Sequence, residues 1–293
     1  MADLIGGNYT ITVCLFYLIG IYCIYGVNSY ITQKCTLIPS RLRGRGVDVF
    51  VKTLFYYNTF FVSFYQIINL VKIMYVSVIV PVYNESMIIN ENINKLKRYL
   101  ESNFAKYEII LVDDGSTDKT VQLASEENIL IISLGKNKGK GAAVCQGMRY
   151  AKGDYAFFID CDLPYPLSFV DENIHLLNSC NIVVGRRSGK YPLIRRVASA
   201  TYNKIAFMLF HIDVSDLQCG IKGFDKTAYK SLFRDCKTEG FAFDTEILVR
   251  AKKLGFKITE RPALLNHRKA SGVNLKGAVK MLWDVIKIKL LYS

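Results

Sequence analysis

The stretch LVDDGSTDKT, residues 111–120, decides how the chain is read. Two adjacent carboxylates, Asp113 and Asp114, close an apolar run, and Gly115 and Ser116 turn the chain straight after them. Asp, Gly and Ser are common turn formers, so by itself the stretch also fits a solvated turn. Its surroundings give it another meaning. YVSVIVPV (75–82), YEIILV (107–112), ILIIS (129–133), YAFFID (155–160) and NIVVG (181–185) are short apolar runs, and each reads as a strand. Between them, residues 86–100 carry Ile89, Ile93, Leu96 and Leu100 at helical spacing. Lys119–Glu127 and GKGAAVCQGMRYA (139–151) also read as helices. Strands that alternate with helices and are almost wholly apolar predict an α/β fold, its mostly parallel sheet covered on both faces. Ligands of such sheets bind beyond the carboxyl ends of the strands. PVYNES (81–86), Asp113–Asp114 and DCDLP (160–164) all sit at strand ends, so the acidic pair is aimed at a common cleft.

The bulk numbers bound the partners. The chain has 293 residues, is 51% hydrophobic and carries a formal charge of +13. A basic balance points to nucleic acid, an anionic membrane surface or phosphate-bearing substrates. No basic stripe or nucleic-acid motif is found, which excludes nucleic acid as the expected partner. The cations cluster locally at Arg41–Arg45, Lys136–Lys140, Arg186–Arg196 and the C-terminus. None of the eight cysteines forms a CxxC pair, which argues against zinc; reduced, partly buried thiols are expected.

The N-terminal part reads as a membrane module. No charge occurs from Leu4 to Gln33, and YTITVCLFYLIGIYCIYGV (9–27) is its densest part. As a helix it would be about 28 Å long, close to a bilayer core. The basic residues Lys34, Arg41, Arg43 and Arg45 follow it, which argues for an uncleaved anchor with its C-terminal side in the cytosol. Residues 53–71 are also uncharged but carry Asn58, Ser63, Gln66 and Asn69. A second span there would force the basic loop outside, so a helix at the membrane surface is favoured over a span. The expected organisation is an anchor (1–33), a basic linker with a juxtamembrane helix (34–73), a catalytic domain (74–270) and a basic amphipathic C-terminal helix (271–293). That last helix spaces Leu275, Val279, Leu282, Ile286 and Leu290 among Lys276, Lys280, Lys287 and Lys289. It fits an anionic interface, or an ordinary surface helix packed on the domain.

Asp160–Cys161–Asp162 sets two carboxylates two residues apart, able to share one divalent cation and the oxygens of a diphosphate. Such a DxD is common by chance. Its place at a strand end, after PVYNE and VDDGSTD, gives it weight.

Taken in order, VSVIVPVYNES, IILVDDGSTDKT, NKGKGAAVCQGM (137–148) and FIDCDLPYP (158–166) resemble the inverting family 2 glycosyltransferases of GT-A fold. The resemblance covers about residues 75–270. DLQCGIKGF (216–224) and EGFAFDTEILVRAKKLGF (239–256) are similar to the dolichyl-phosphate β-glucosyltransferases, with the dolichyl-phosphate mannosyltransferases as relatives. The resemblance implies that Asp113 and Asp114 contact the base and ribose of a nucleotide-sugar, with Pro81, Tyr83 and Glu85 around the base. For Glu85 the alternative is a charge favoured by a helix N-terminus. Asp160 and Asp162 are implied as the site for Mg²⁺ or Mn²⁺ on the diphosphate. Lys138 and Lys140 either steady that diphosphate or form a solvated turn. Arg186 and Arg196 are implied at the acceptor phosphate, with Arg187 and Arg195 as near alternatives; arginine's planar fork suits phosphate oxygens. Asp216 and Gln218 form a DxQ-type motif near sugar and acceptor, and Asp244 and Glu246 are expected in the same cleft. His267 and Arg268 are candidates for the diphosphate, though a lone histidine is more often structural.

The resemblance implies inverting transfer of glucose from UDP-glucose to dolichyl or polyprenyl phosphate at the cytosolic membrane face, for glycan assembly such as protein N-glycosylation. The membrane would be the endoplasmic reticulum in a eukaryote and the plasma membrane in an archaeon. DCDLP departs from the DADG of the glucosyl branch and leans to the DADL of the mannosyl branch, which keeps GDP-mannose open as donor. A hydroxyl acceptor is the other alternative; it would need Asp216 or Asp244 as a base. A catalytically dead sensor would be expected to lose an acidic site, and this chain keeps all of them.

Overall fold

A computed structural model of the chain describes residues 74–125, 129–188, 193–265 and 275–292. The chain divides into two units, Met1–Asn69 and Leu70–Ser293, and every described residue lies in the second. The expected anchor, linker and juxtamembrane helix lie outside the described residues, as do His267 and Arg268. Among the described residues no helix is long and apolar enough to cross a membrane.

Seven strands form one sheet: β1 (Tyr75–Val82), β2 (Lys106–Asp113), β3 (Leu130–Ser133), β4 (Tyr155–Ile159), β5 (Ile182–Ser188), β6 (Ile221–Asp225) and β7 (Ile258–Leu264). Their order is β3-β2-β1-β4-β6-β5-β7. β1 pairs in parallel with β2 and β4, β2 with β3, and β5 with β7. β6 alone is reversed, antiparallel to both β4 and β5. Its N-terminal end therefore opens on the same edge as the carboxyl ends of the other strands. The helices are α1 (Ile89–Asn103), α2 (Thr120–Ser125), α3 (Lys140–Tyr150), α4 (Phe169–Ile174), α5 (Leu193–Phe210), α6 (Lys226–Leu232), α7 (Phe243–Lys253) and α8 (Leu275–Tyr292).

Alternate strand side chains feed two cores, because successive residues of a strand point to opposite faces. Val78, Val80, Leu111, Phe157, Ile159 and Val183 pack on one side, under α1 and α4. Ile79, Ile110, Val112, Ala156, Phe158 and Val184 pack on the other, under α3 and α5–α8. This is why the central strands read as continuous apolar runs. In α1 the expected residues Ile89, Ile93, Leu96 and Leu100 are the buried ones. Two strands carry a weaker signal. IKGFD, which forms β6, sets a lysine and a glycine mid-strand; ITERPAL, which forms β7, is largely polar.

Cys145 on α3 and Cys236 beyond α6 are joined as a disulfide, 91 residues apart in sequence. This corrects the expectation of reduced thiols for that pair: the fold lays α6 and its exit loop beside α3. Cys161, Cys180 and Cys219 are buried free thiols.

α3 lies close on the sheet because Gly147 has no side chain. A Cβ there would meet Ile79 Cγ2 at 2.5 Å and Val112 Cγ2 at 2.9 Å. Both neighbours are fully buried and have little room to yield. Gly147→Ala is expected to lower the unfolding free energy by about 1–3 kcal/mol, the usual cost of overpacking. Urea denaturation of the two proteins side by side measures it.

Candidate active site

The loops after β1 and β2 are laced together by polar side chains. Asn84, at φ 53, donates its backbone N–H to Ser116 Oγ (3.0 Å), and its Oδ1 accepts from Thr117 N (2.8 Å). Glu85 N donates to Thr120 Oγ1 (2.8 Å) and Ser86 N to Asp118 Oδ2 (3.1 Å). Hydrogen bonds from Thr120 and Ser86 hold the Asp118 carboxyl down at about 2. Gly115 makes the turn possible: it sits at φ 78, and a Cβ would meet the Lys136 carbonyl carbon at 2.5 Å.

Asp113 and Asp114 are buried, at 2% and 4% exposure, and their carboxylates diverge. Asp113 accepts from Ser116 N (2.9 Å) and Ser133 Oγ (2.9 Å), tying the turn to β3. Asp114 accepts from Lys138 N (2.7 Å) and Gly139 N (2.8 Å), fixing the loop that leads into α3. Each carboxylate is solvated by its own set of hydrogen-bond donors. A carboxylate oxygen takes two hydrogen bonds, so capacity remains for a ligand's N–H or O–H. Around this pair, Pro81 is partly buried in β1 and Tyr83 is 44% exposed at its end.

Acidic side chains gather where β1 and β4 end. Glu85 is pushed above its ordinary value first by burial, then by the charges of Asp162, Asp118 and Asp160. Asp160 pairs with Lys140, Nζ to Oδ1 2.5 Å, while Asp162 is exposed. Gly220, at the entry to β6, makes room for Asp160: a Cβ there would lie 2.0 Å from its Oδ2. Among the described residues no three His, Cys, Asp or Glu side chains converge as an all-protein metal cage. The donor set fits a hard divalent cation that takes its remaining oxygens from water and a diphosphate. Next to this pair Leu163 stands at φ 43, buried, in a conformation that suits glycine better than leucine.

Two buried ion pairs line the far side. Lys222, 1% exposed on β6, lies 2.5 Å from Asp244 Oδ1 at the start of α7 and donates to Cys219 O (2.8 Å). Burial raises the Asp244 carboxyl, and the charges of Lys222 and Lys140 oppose the rise. Arg187 grips Asp216 with both ends of its fork, Nε to Oδ2 2.7 Å and Nη2 to Oδ1 2.6 Å, and its own backbone N adds 2.9 Å to Oδ2. Arg187 Nη2 also reaches Ser199 on α5 (3.2 Å). Glu260 Oε1 accepts from Ser215 N (2.7 Å) and Asp216 N (3.1 Å), holding the loop before β6.

The structure thus brings Glu85, Lys140, Asp160, Asp162, Asp216 and Asp244 to one sheet edge, with Asp113, Asp114 and Lys138 flanking it, while Gln218 is half-buried in the loop before β6. Arg186 is exposed at the end of β5. Arg196 lies in α5, and its side chain falls outside the description. Glu246, expected in the cleft, turns away. It accepts from Lys237 N, Thr238 N (2.6 Å) and Tyr292 OH (2.7 Å), and so ties a loop and α8 to α7. Sequence reasoning missed Lys222 and the pairing of Arg187 with Asp216. A lysine between isoleucine and glycine in GIKGF was the one available hint of a buried cation.

Removing one partner of a buried ion pair strands the other charge. Asp216→Ala leaves Arg187 without its counter-ion and is expected to cost about 3–5 kcal/mol of stability. Chemical denaturation measures it, and Asp216→Asn, which keeps an acceptor, should cost less.

Comparison with known proteins places this geometry. The family described as "Glycosyl transferase family 2" matches residues 77–233. A dolichyl-phosphate beta-glucosyltransferase of Trichomonas vaginalis is 32% identical over 244 residues, spanning 75% of this chain and 74% of the relative. That of Dictyostelium discoideum is 29% identical over 252 residues and 76% of each chain. That of Saccharomyces cerevisiae is 29% identical over 254 residues and 75% of each. In fold the chain is similar to a glucosyl-3-phosphoglycerate synthase from Mycobacterium tuberculosis, solved with Mn²⁺, UDP and phosphoglyceric acid. The TM-score is 0.59 at 21% identity, covering 75% of this chain and 78% of that one. With more than half its length matched by the family and the strand-end motifs in their order, the chain belongs to glycosyl transferase family 2.

Proposed function

We propose that the protein transfers glucose from UDP-glucose to dolichyl phosphate, with inversion at C1. The observation that carries this reading is that both carboxylates expected as candidate bases are held by buried cations. Asp216 is gripped by Arg187 and Asp244 by Lys222. Protonating either one would leave a buried cation uncompensated, at high cost. An alcohol acceptor needs a base to take its proton. A phosphate monoester does not, since its second ionisation lies near pH 6. The site suits an acceptor that arrives already charged.

In this mechanism a phosphate oxygen of the acceptor forms a bond to C1 of the glucose as the bond from C1 to the diphosphate oxygen breaks. The electron pair leaves with UDP. Arg186, exposed at the end of β5, and Arg196 on α5 supply cationic partners for the acceptor phosphate. Asp113 and Asp114 keep the donor loops in register and meet the nucleoside. Asp160 and Asp162 would hold Mg²⁺ or Mn²⁺. That ion would neutralise charge on the departing diphosphate. The protein's own contribution is alignment and preorganised charge.

The outer faces of α5 and α8 support a lipid acceptor. Phe207 and Met208 are exposed on α5, and Trp283, Ile286 and Leu290 on α8, with the exposed Lys204 and Lys287 near them in sequence. The helices adjoin, with Lys289 Nζ donating to Leu209 O at 3.1 Å. Apolar stripes edged by lysine suit an anionic lipid surface. The reading sets the catalytic unit on the cytosolic face of the membrane that carries the lipid phosphate.

A donor-by-acceptor assay in detergent micelles tests the proposal. Labelled UDP-glucose, GDP-mannose and UDP-N-acetylglucosamine are each offered with dolichyl phosphate or a glycolipid alcohol. Label is expected to move from UDP-glucose to dolichyl phosphate, to stop with EDTA, and to fall by about 100-fold or more in Asp162→Ala. Transfer from GDP-mannose would correct the sugar. Transfer to the alcohol alone would overturn the acceptor and return Asp216 and Asp244 to consideration as bases.

A further inference from the structure

We propose that Glu246 on α7 and Tyr292 on α8 are positioning residues for the donor: through the backbone of residues 237–240 they hold the turn at 138–141, where α3 begins, in the shape that receives the nucleotide-sugar. The inference rests on the donor site proposed above and extends it to two side chains that act through a loop rather than on the substrate.

The turn at 138–141 is held from two sides. On one side Asp114, which meets the nucleoside in the proposed mechanism, accepts from Lys138 N (2.7 Å) and Gly139 N (2.8 Å). On the other side the 238–240 backbone lies directly against it. A Cβ on Gly139 would meet Glu239 O at 2.6 Å, and one on Gly141 would meet Thr238 O at 2.6 Å and Gly240 O at 2.7 Å. Ala142 N also donates to Glu239 O (3.1 Å). Two glycines thus let one stretch of backbone bear on another. Close-packed groups transmit displacement, so a shift of residues 238–240 would reach the amides that Asp114 holds.

Glu246 fixes that backbone. Its side chain is fully buried and both of its oxygens are used. Oε1 accepts from Lys237 N (3.0 Å) and Tyr292 OH (2.7 Å), and Oε2 from Thr238 N (2.6 Å). A buried carboxylate keeps its place only while donors replace the water it has lost, and the phenol is one of those donors. Burial first, and then the bond to Glu246, pushes the Tyr292 hydroxyl up to about 12, so it stays protonated and donating near neutral pH. Tyr292 lies in the last turn of α8, so this one bond joins α8, α7 and the loop. The Cys145–Cys236 disulfide acts elsewhere: it reaches α3 about one turn beyond Gly141 and holds the start of the loop rather than residues 238–240.

The test uses the full-length protein in detergent micelles, without reductant, and compares the wild type with Tyr292→Phe, which removes only the hydroxyl. UDP affinity is read by calorimetry with Mn²⁺ present, the KM of each substrate by the transfer assay, and backbone opening by hydrogen–deuterium exchange without ligand. Tyr292→Phe is expected to bind UDP about fivefold more weakly, to raise the KM for UDP-glucose by the same factor and to leave that for dolichyl phosphate unchanged. Exchange should quicken in residues 137–142 while β1 keeps its protection. Lys289→Met, which releases α8 from Leu209 O on α5, should leave UDP affinity near the wild-type value. Unchanged UDP affinity or unchanged exchange at 137–142 in Tyr292→Phe would overturn the proposal. So would an equal rise in both KM values, or an equal loss of affinity in Lys289→Met, since either marks a general loosening. Wild type that binds no UDP would remove the donor site and the inference together. The expected affinities and exchange in a protein that moves no glucose would leave the inference standing and reject the substrate assignment.

Discussion

The Asp114 carboxylate accepts hydrogen bonds from the backbone N–H groups of Lys138 and Gly139, and the rest of the site depends on where that puts the chain. Gly139 follows at φ 106, a conformation open to glycine, with the Glu239 carbonyl packed where a Cβ would stand. α3 starts at once, and its first residue is Lys140. The same Glu239 carbonyl accepts from Ala142 N (3.1 Å), so the loop before α7 is fastened to the start of α3. One strand-end carboxylate thereby sets the approach of two helices to the sheet. It also sets the reach of a lysine to Asp160 on a different strand.

Charge in this site is arranged as pairs. Lys140 faces Asp160, Lys222 faces Asp244 and Arg187 faces Asp216. Burying ions costs free energy that pairing only partly returns, so such pairs are poor sources of stability. What they supply is position. Arg187 joins the end of β5 to the loop before β6 and, through Ser199, to α5, which carries Arg196. Lys222 joins β6 to the first turn of α7. Where β1 and β4 end, burial and then the charges of Asp162, Asp118 and Asp160 raise Glu85 above its ordinary value.

Much of this was legible in the sequence. The five apolar runs from Tyr75 to Gly185 became β1–β5, and in the central strands the side chains alternate between two buried faces, which leaves little room for polar residues. The acidic residues after them reached one edge because parallel strands end together. β6 was not legible. A strand with a lysine and a glycine among five residues looks like a loop, and Lys222 is buried only because Asp244, 22 residues further on, folds back to meet it. The roles of Asp216 and Glu246 were hidden for the same reason. The sequence shows a carboxylate but not the cation or amide that takes it up. The sequence by itself determined the alternating α/β framework, the family and the list of acidic and basic residues, since these depend on local periodicity and ordered motifs. Only the tertiary structure decided which charges pair with which, because ion pairing depends on distances between residues far apart in the chain.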